Sequence, residues 1–252
     1  MRRAVAHLFV DDLAEPALSD KDLHHLSRVL RLRPGEVVTV SDGQGGSRLC
    51  EWVSAGGAAL RAMAEATWDP PSEPAVTVGF ALTKGEHPEW AVQKLTEAGV
   101  DHIVLVTAER CVTRWASSAV DRQLERLREV ARQAGMQSRR SWLPTVEGPV
   151  AFSTVVSAGD GTAPLGVALA VQGGGPLTLA TPTVLVGPEG GWSDAELGSV
   201  PVVRHVGLGP NTLRAETAAM AAGVLLVALR AGLVSPAATV PGSEAAGGPR
   251  PA

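Results

Sequence analysis

Lysine is almost missing from this chain. It stands only at positions 21, 84 and 94, so nearly all of the 22 basic residues are arginines. Cysteine is equally sparse. Cys50 and Cys111 lie far apart with no CxxC spacing. That argues against a disulfide framework and makes a cytoplasmic address the default. No long apolar run exists. The longest, Ala218 to Leu229, is too short to cross a bilayer and reads as a buried or interface helix. The opening MRRAVAHLFVDD has too short an apolar core for a secretion signal. The paired His24 and His25 lack the carboxylate or cysteine partners of a metal site, so no metal is expected. There is no internal repeat, no GxGxxG, no P-loop and no Ser/His/Asp order that suggests hydrolysis.

What remains is an ordinary globular composition. The 252 residues are 45% apolar and 19% charged, enough for one large domain or two small ones. The formal net charge of −4 does not point to nucleic acid. Arginine suits phosphates and base edges through its planar fork, yet a high-GC genome accounts for most of the arginine excess. The first seventy residues read as β-rich: strands at 7–10, 36–41, 47–53 and 58–67, with turn signals at Pro34-Gly35 and 42–46. One helix interrupts them. Ser19 and Asp22 give it a capping-box-like start, and Leu23, Leu26 and Leu30 share a face. Three prolines between Asp69 and Pro74 mark a boundary. Beyond it strands alternate with helices: strand 76–82, helix 88–98, strand 102–107, amphipathic helix 119–134, strands 166–171 and 183–186, a helix capped by Ser193 with Glu196, strand 203–206 and a final helix 213–230. Such alternation implies a mostly parallel α/β sheet. The expected division is 1–72, 73–234 and a disordered tail at 235–252.

Two junctions could carry chemistry. Gly187-Pro188-Glu189-Gly190-Gly191 joins an apolar strand to a capped helix, where ligands of open α/β sheets bind and glycine lets them approach the backbone. A plain tight turn is the alternative. Leu208-Gly209-Pro210-Asn211 turns into a helix with Arg214 and Glu216 in its first turn. An arginine there opposes the helix dipole, so Arg214 faces a ligand or anion unless it merely pairs with Glu216. Arg139 and Arg140 close the long amphipathic helix, an ordinary place for cations. Arg28 and Arg31, three apart, share one side of the short N-terminal helix, with Arg33 beyond; a solvated face is the competing reading.

In order along residues 7–230, the motifs HHLSRVLRLRPGE, LTKGEHPEWAVQKLTEAGV, ERCV, QSRR, LVGPEGGWSDAE and LGPNTLRAETAA resemble the RsmE family of uridine-N3 methyltransferases of small-subunit (16S) ribosomal RNA, within the SPOUT superfamily. The resemblance implies a PUA-like N-terminal barrel, an α/β domain ending in a trefoil knot, a homodimer, 16S rRNA in the small subunit as partner, and S-adenosyl-L-methionine as cofactor. It implies that Val186, Gly187, Gly190, Gly191, Leu208, Gly209, Leu213, Arg214 and Thr217 hold the cofactor, and that a third loop follows the strand ending near Val171, at Gln172–Gly175. RNA contacts fall to Arg28, Arg31, Arg33, Lys84 and Arg139. Met136 stands where relatives often carry an acid.

Uracil N3 is a poor nucleophile until it loses its proton, and the charge then spreads over O2 and O4. The enzyme must take the proton and offer donors to the oxygens. Arg140 and Arg214 are the candidate donors, brought by the fold to one pocket. Glu189 is a base or balances the sulfonium. Another nucleotide-binding α/β enzyme, or a non-catalytic RNA-binding protein, are the rival readings; cofactor binding separates them. If Arg28, Arg31 and Arg33 touch phosphates, each Arg→Ala change lowers the salt slope of RNA binding by roughly 0.7–0.9. An unchanged slope measured by filter binding makes them a solvated face.

Overall fold

The computed structural model describes residues 4–54, 59–157 and 166–236. The expected tail therefore lies almost wholly outside the described residues, as does Ala58 at the start of one expected strand. The N-terminal unit contains strands β1 (Ala6–Phe9), β2 (Val37–Ser41), β3 (Gly46–Trp52), β4 (Leu60–Ala62) and β5 (Thr67–Trp68), with helix α1 (Asp20–His24) between β1 and β2. The sheet order is β1-β2-β3-β4, with β5 on β3. Its core is Leu8, Leu26, Val38, Val40, Cys50 and Trp52. Ser19 caps α1 by accepting from the Asp22 amide.

The helix then widens into a π turn over His25–Val29, and Arg31 takes a left-handed φ of 53°. Arg28 and Arg31 are both exposed but do not share a helix face. The three-residue spacing assumed a regular helix, which ends before Arg31.

The second sheet is wholly parallel. Its strands are β6 (Thr77–Ala81), β7 (His102–Thr107), β8 (Thr145–Ala151), β9 (Val167–Gly175), β10 (Thr183–Val186) and β11 (His205–Val206), in the order β11-β9-β10-β6-β7-β8. Side chains alternate across it. Val78, Phe80, Ile103, Leu105 and Val184 face one core, under α2 (His87–Ala98), α3 (Val120–Ser138) and α6 (Ala215–Arg230). Ala81, Val106, Leu169 and Leu185 face another, with α4 (Phe152–Ser157) and α5 (Asp194–Ser199). Pro88 opens α2 and left-handed Gly99 closes it; Ser193 and Glu196 form a full capping box on α5. β8 and α4 carried no signal read from the sequence. The strand expected at 203–206 is a 3-10 turn, Val202–Arg204, and only two residues of β11.

The loop expected at Gln172–Gly175 is instead the end of β9. Val167–Ala170 pair with β10, and the strand runs on so that Gly175 pairs with Val206. A Cβ on Gly174 would sit 2.5 Å from the Val206 carbonyl carbon. Only glycine allows that approach. The apolar run 218–229, read as a buried or interface helix, lies within α6. Ala219, Ala222 and Leu226 are fully buried, and a Cβ on Gly223 would strike Leu95 at 2.6 Å. The smooth face exists so that α6 can press on α2 and β6.

The two units are clasped by α3 and the segment after it. Arg132 donates to Asp22 Oδ2 (2.6 Å) and to the Phe9 carbonyl (3.1 Å), and Lys21 pairs with Glu129. Gly45 and Ser41 donate to the Ser141 carbonyl, and Leu143 donates to Gly43. Asp22 is 2% exposed, so Arg132→Ala strands a buried charge and costs about 3 kcal/mol in urea unfolding. His7, buried in β1, has its Nε2 3.0 Å from the Arg140 carbonyl; burial first, then nearby Arg139, lowers its pKa below 6.5. Above pH 6.5 both folded and unfolded chains hold it neutral. Below, the unfolded chain binds a proton that the folded one resists, so stability falls with falling pH. His7→Gln flattens that part of the stability–pH profile.

Candidate functional site

The carboxyl ends of β9, β10 and β11 converge on a cavity of about 410 Å³. Ala170, Val171 and Gln172 come from β9. Val186, Gly187, Pro188, Glu189, Gly191 and Trp192 come from the β10–α5 junction. Leu208, Gly209, Asn211, Thr212, Leu213, Arg214, Ala215 and Ala218 come from the β11–α6 junction. Glu189 is the one acid in this lining and Arg214 the one base. Both are exposed, and neither has an ion-pair partner among the described residues. Arg214 does not pair with Glu216; that carboxylate lies 3.2 Å from His87 Nδ1 instead.

Glycine is needed here for space. A Cβ on Gly187 would sit 3.1–3.3 Å from the Trp192 indole. Gly191 and Gly209 have φ of 70° and 149°, and nothing lies within 4 Å of either Cβ position. Their backbones thus stand open. The junction is braced from outside. Arg110, from the ERCV motif, donates to the Gly190 and Trp192 carbonyls at 3.2 and 2.9 Å. Glu196 accepts from the Glu109 and Ser193 amides. The Trp192 indole donates to the Ala170 carbonyl at 3.2 Å and ties two walls together.

Of the nine residues expected at the cofactor, Val186, Gly187, Gly191, Leu208, Gly209, Leu213 and Arg214 line this cavity. Gly190 and Thr217 do not. The Cβ position of Gly190 points at Arg110 Cβ, 3.3 Å away, because Arg110 covers that side of the turn. Thr217 faces a second cavity, since one helical residue past Glu216 turns away from Ala215 and Ala218. Sequence reasoning missed Trp192, Ala170 and Ala218. The tryptophan beside the glycine run, and alanine three residues after Ala215, were the available signals.

Arg140 and Arg214 do not meet in one pocket of this chain. The Arg140 guanidinium is 13% exposed and donates to the Thr96 and Val100 carbonyls at 2.9 and 2.8 Å. Asp101 lies 3.8 Å away and also pairs with Arg230. Burial lowers the Arg140 pKa despite Asp101. Its fork is spent on the carbonyls that end α2. Arg139, expected at RNA, takes a left-handed turn and donates to the Ala4 carbonyl. Met136 packs against the core of the small unit and lines neither cavity. Lys84 is exposed in the β6–α2 turn, and Arg33 is exposed beside Arg31.

The second cavity is a groove of about 950 Å³ between α2 and α3, closed by the first turn of α6 and by Lys21 of α1. His87, Trp90, Gln93, Gln133, Gln137, Glu216 and Thr217 are among its lining residues.

Residues 70–227 match a family model described as an RNA methyltransferase domain, and residues 18–57 match an RNA methyltransferase PUA domain. The ribosomal RNA small subunit methyltransferase E of Mycobacterium bovis is 39% identical over 215 residues, 79% of this chain and 80% of that protein. Its counterpart in Synechocystis sp. is 31% identical over 220 residues, 81% of this chain and 70% of that one. The crystal structure of the Neisseria gonorrhoeae ribosomal RNA small subunit methyltransferase E bound to S-adenosyl methionine superposes with a TM-score of 0.72 and 27% identity, over 89% of this chain and 97% of that one.

Arg140→Ala removes two hydrogen bonds from a charged donor and leaves Asp101 with Arg230 and the Val76 amide. Thermal unfolding shows it less stable by about 2–4 kcal/mol. A variant as stable as the parent removes this structural role.

Proposed function

The chain belongs to the ribosomal RNA small subunit methyltransferase E family and is an S-adenosylmethionine-dependent ribosomal RNA methyltransferase, and we propose that its target atom is N3 of one uridine in the small subunit's 16S RNA. The observation that carries the reading is the cavity at the carboxyl edge of the sheet. Its volume is that of an ordinary small-molecule site. Val171, Val186, Leu208 and Leu213 offer apolar walls for a purine, and open Gly191 and Gly209 let a ligand lie against the backbone. One acid and one base suit a ligand carrying both signs of charge. When bound, the cofactor supplies a methyl group activated by a sulfonium.

The residues divide the remaining work. Glu189 balances the sulfonium. Arg214, at the N-cap of α6, stabilises the negative charge that grows on the uracil oxygens. Arg140 holds the end of α2 in place. The unit of residues 1–72 docks RNA through Arg28, Arg31 and Arg33; residues 73–234 form the methyl-transfer unit, with the knot in its C-terminal part. We further propose a homodimer and a cytoplasmic enzyme that acts on the assembled small subunit. Val224, Leu233 and Val234 are exposed on and just after α6 and give a second copy an apolar surface.

Nucleoside mass spectrometry of small subunits treated with the protein and labelled cofactor tests the target: label on cytidine or on ribose overturns it. At about a hundred times the dissociation constant, S-adenosylmethionine stabilises the protein by about 2.7 kcal/mol. An unchanged melting temperature with no calorimetric heat contradicts cofactor binding. Arg214→Ala slows single-turnover transfer by about a hundredfold and changes cofactor affinity much less. Arg214→Lys recovers little, because lysine lacks the planar fork.

A further inference from the structure

We propose that the groove between α2 and α3 receives the target uracil and that His87 removes its N3 proton, an assignment that rests on the methyl-transfer reading above. An unpaired base is held by stacking on an aromatic ring and by hydrogen bonds to its Watson–Crick edge. Uracil offers there an N–H between two carbonyl oxygens. A site for it needs an acceptor flanked by donors, beside an exposed ring. The groove has these parts. Trp90 is 38% exposed on its α2 wall, and Gln93 and Gln137 bring amide donors from α2 and α3.

The acceptor is His87. Its Nδ1 lies 3.2 Å from Glu216 Oε1, and its side chain is 47% exposed while Glu216 is 13% exposed. A carboxylate at that distance keeps the neutral ring's proton on Nδ1 and leaves the Nε2 lone pair free. Glu216 also offsets the positive charge that the ring acquires. Two of the groove's other acids are paired, Glu129 with Lys21 and Glu89 with Arg126, and the third, Glu86, is exposed at the start of α2.

The groove adjoins the cofactor cavity. Arg214, Ala215 and Ala218 line the cavity, while Glu216 and Thr217, on the same first turn of α6, line the groove. The cavity and the His87 end of the groove lie at the carboxyl edge of the sheet, where ligands of α/β folds bind. In the step, the N3 proton passes to Nε2 of His87. The N3 lone pair forms the bond to the methyl carbon, and the methyl–sulfur bonding pair stays on sulfur. The imidazolium then returns its proton to water.

The experiment compares the full-length parent with His87→Gln, His87→Ala and Glu216→Gln. Small subunits carry either natural RNA or RNA transcribed with 5-fluorouridine, whose N3 proton leaves more easily. With natural RNA the His87 variants are slower by about 10²–10⁴-fold in single-turnover transfer, with unchanged cofactor affinity. Fluorinated RNA recovers most of that loss, and Glu216→Gln shows a smaller loss with the same recovery. Separately, without cofactor, 4-thiouridine at the target position photocrosslinks to the peptide containing Trp90. His87 variants within about threefold of the parent overturn the assignment of the base. So does a deficit that fluorinated RNA leaves unchanged. A crosslink elsewhere overturns the groove as the uracil site. A parent that transfers no methyl group at all overturns the proposed function, and this inference with it.

Discussion

The short strand β10 is the constraint on which the molecule depends. Its four residues pair in parallel with β9 on one side and β6 on the other. A parallel neighbour on each side sends every adjoining strand's carboxyl end to one edge, so the β9 end, the β10–α5 turn and the β11–α6 turn meet in one cavity. The β9–β10 connection, residues 176–182, contains no helix, although parallel neighbours usually need one. The chain manages this by running β9 onward along β11, through glycines whose missing side chains let two backbones nearly touch.

The same economy governs the arginines. Arg110 fixes the β10–α5 turn, Arg132 joins the two units, and Arg140 and Arg230 close the carbonyls around the end of α2. Each donates to at least one backbone carbonyl. Arg214 stands apart from them. It caps no carbonyl, pairs with no acid among the described residues, and faces the cavity from a helix start where a cation is disfavoured. Its position is favourable only if something negative arrives there.

Much of this could be read along the chain because local chemistry decided it. Pro88 and Gly99 bound α2, the Ser193–Glu196 box starts α5, and the spacing of Leu124, Leu127, Ala131 and Ala134 buries one side of α3. The two glycine-rich junctions stood out as candidate ligand turns, with a plain tight turn as the alternative, because glycine after a strand serves both. The loop that the family resemblance implied at Gln172–Gly175 is strand instead, and its glycines gave no warning because glycine marks a turn and close backbone contact alike. The alanines of α6 left a buried helix and an interface helix both open, because small residues mark close packing but do not say against what.

The sequence by itself determined most of the elements, though not β8 or α4, and the motifs of an RNA methyltransferase, because caps, turns and periodicity act over a few residues. Only the tertiary structure decided which charged groups are free to do chemistry. Arg140 and Arg214 have the same side chain and both lie at helix ends. One is consumed by carbonyls some forty residues away in sequence, while the other is left open. The pairing of His87 with Glu216 was equally hidden, since it needs the starts of α2 and α6 side by side, a contact that long-range packing alone creates.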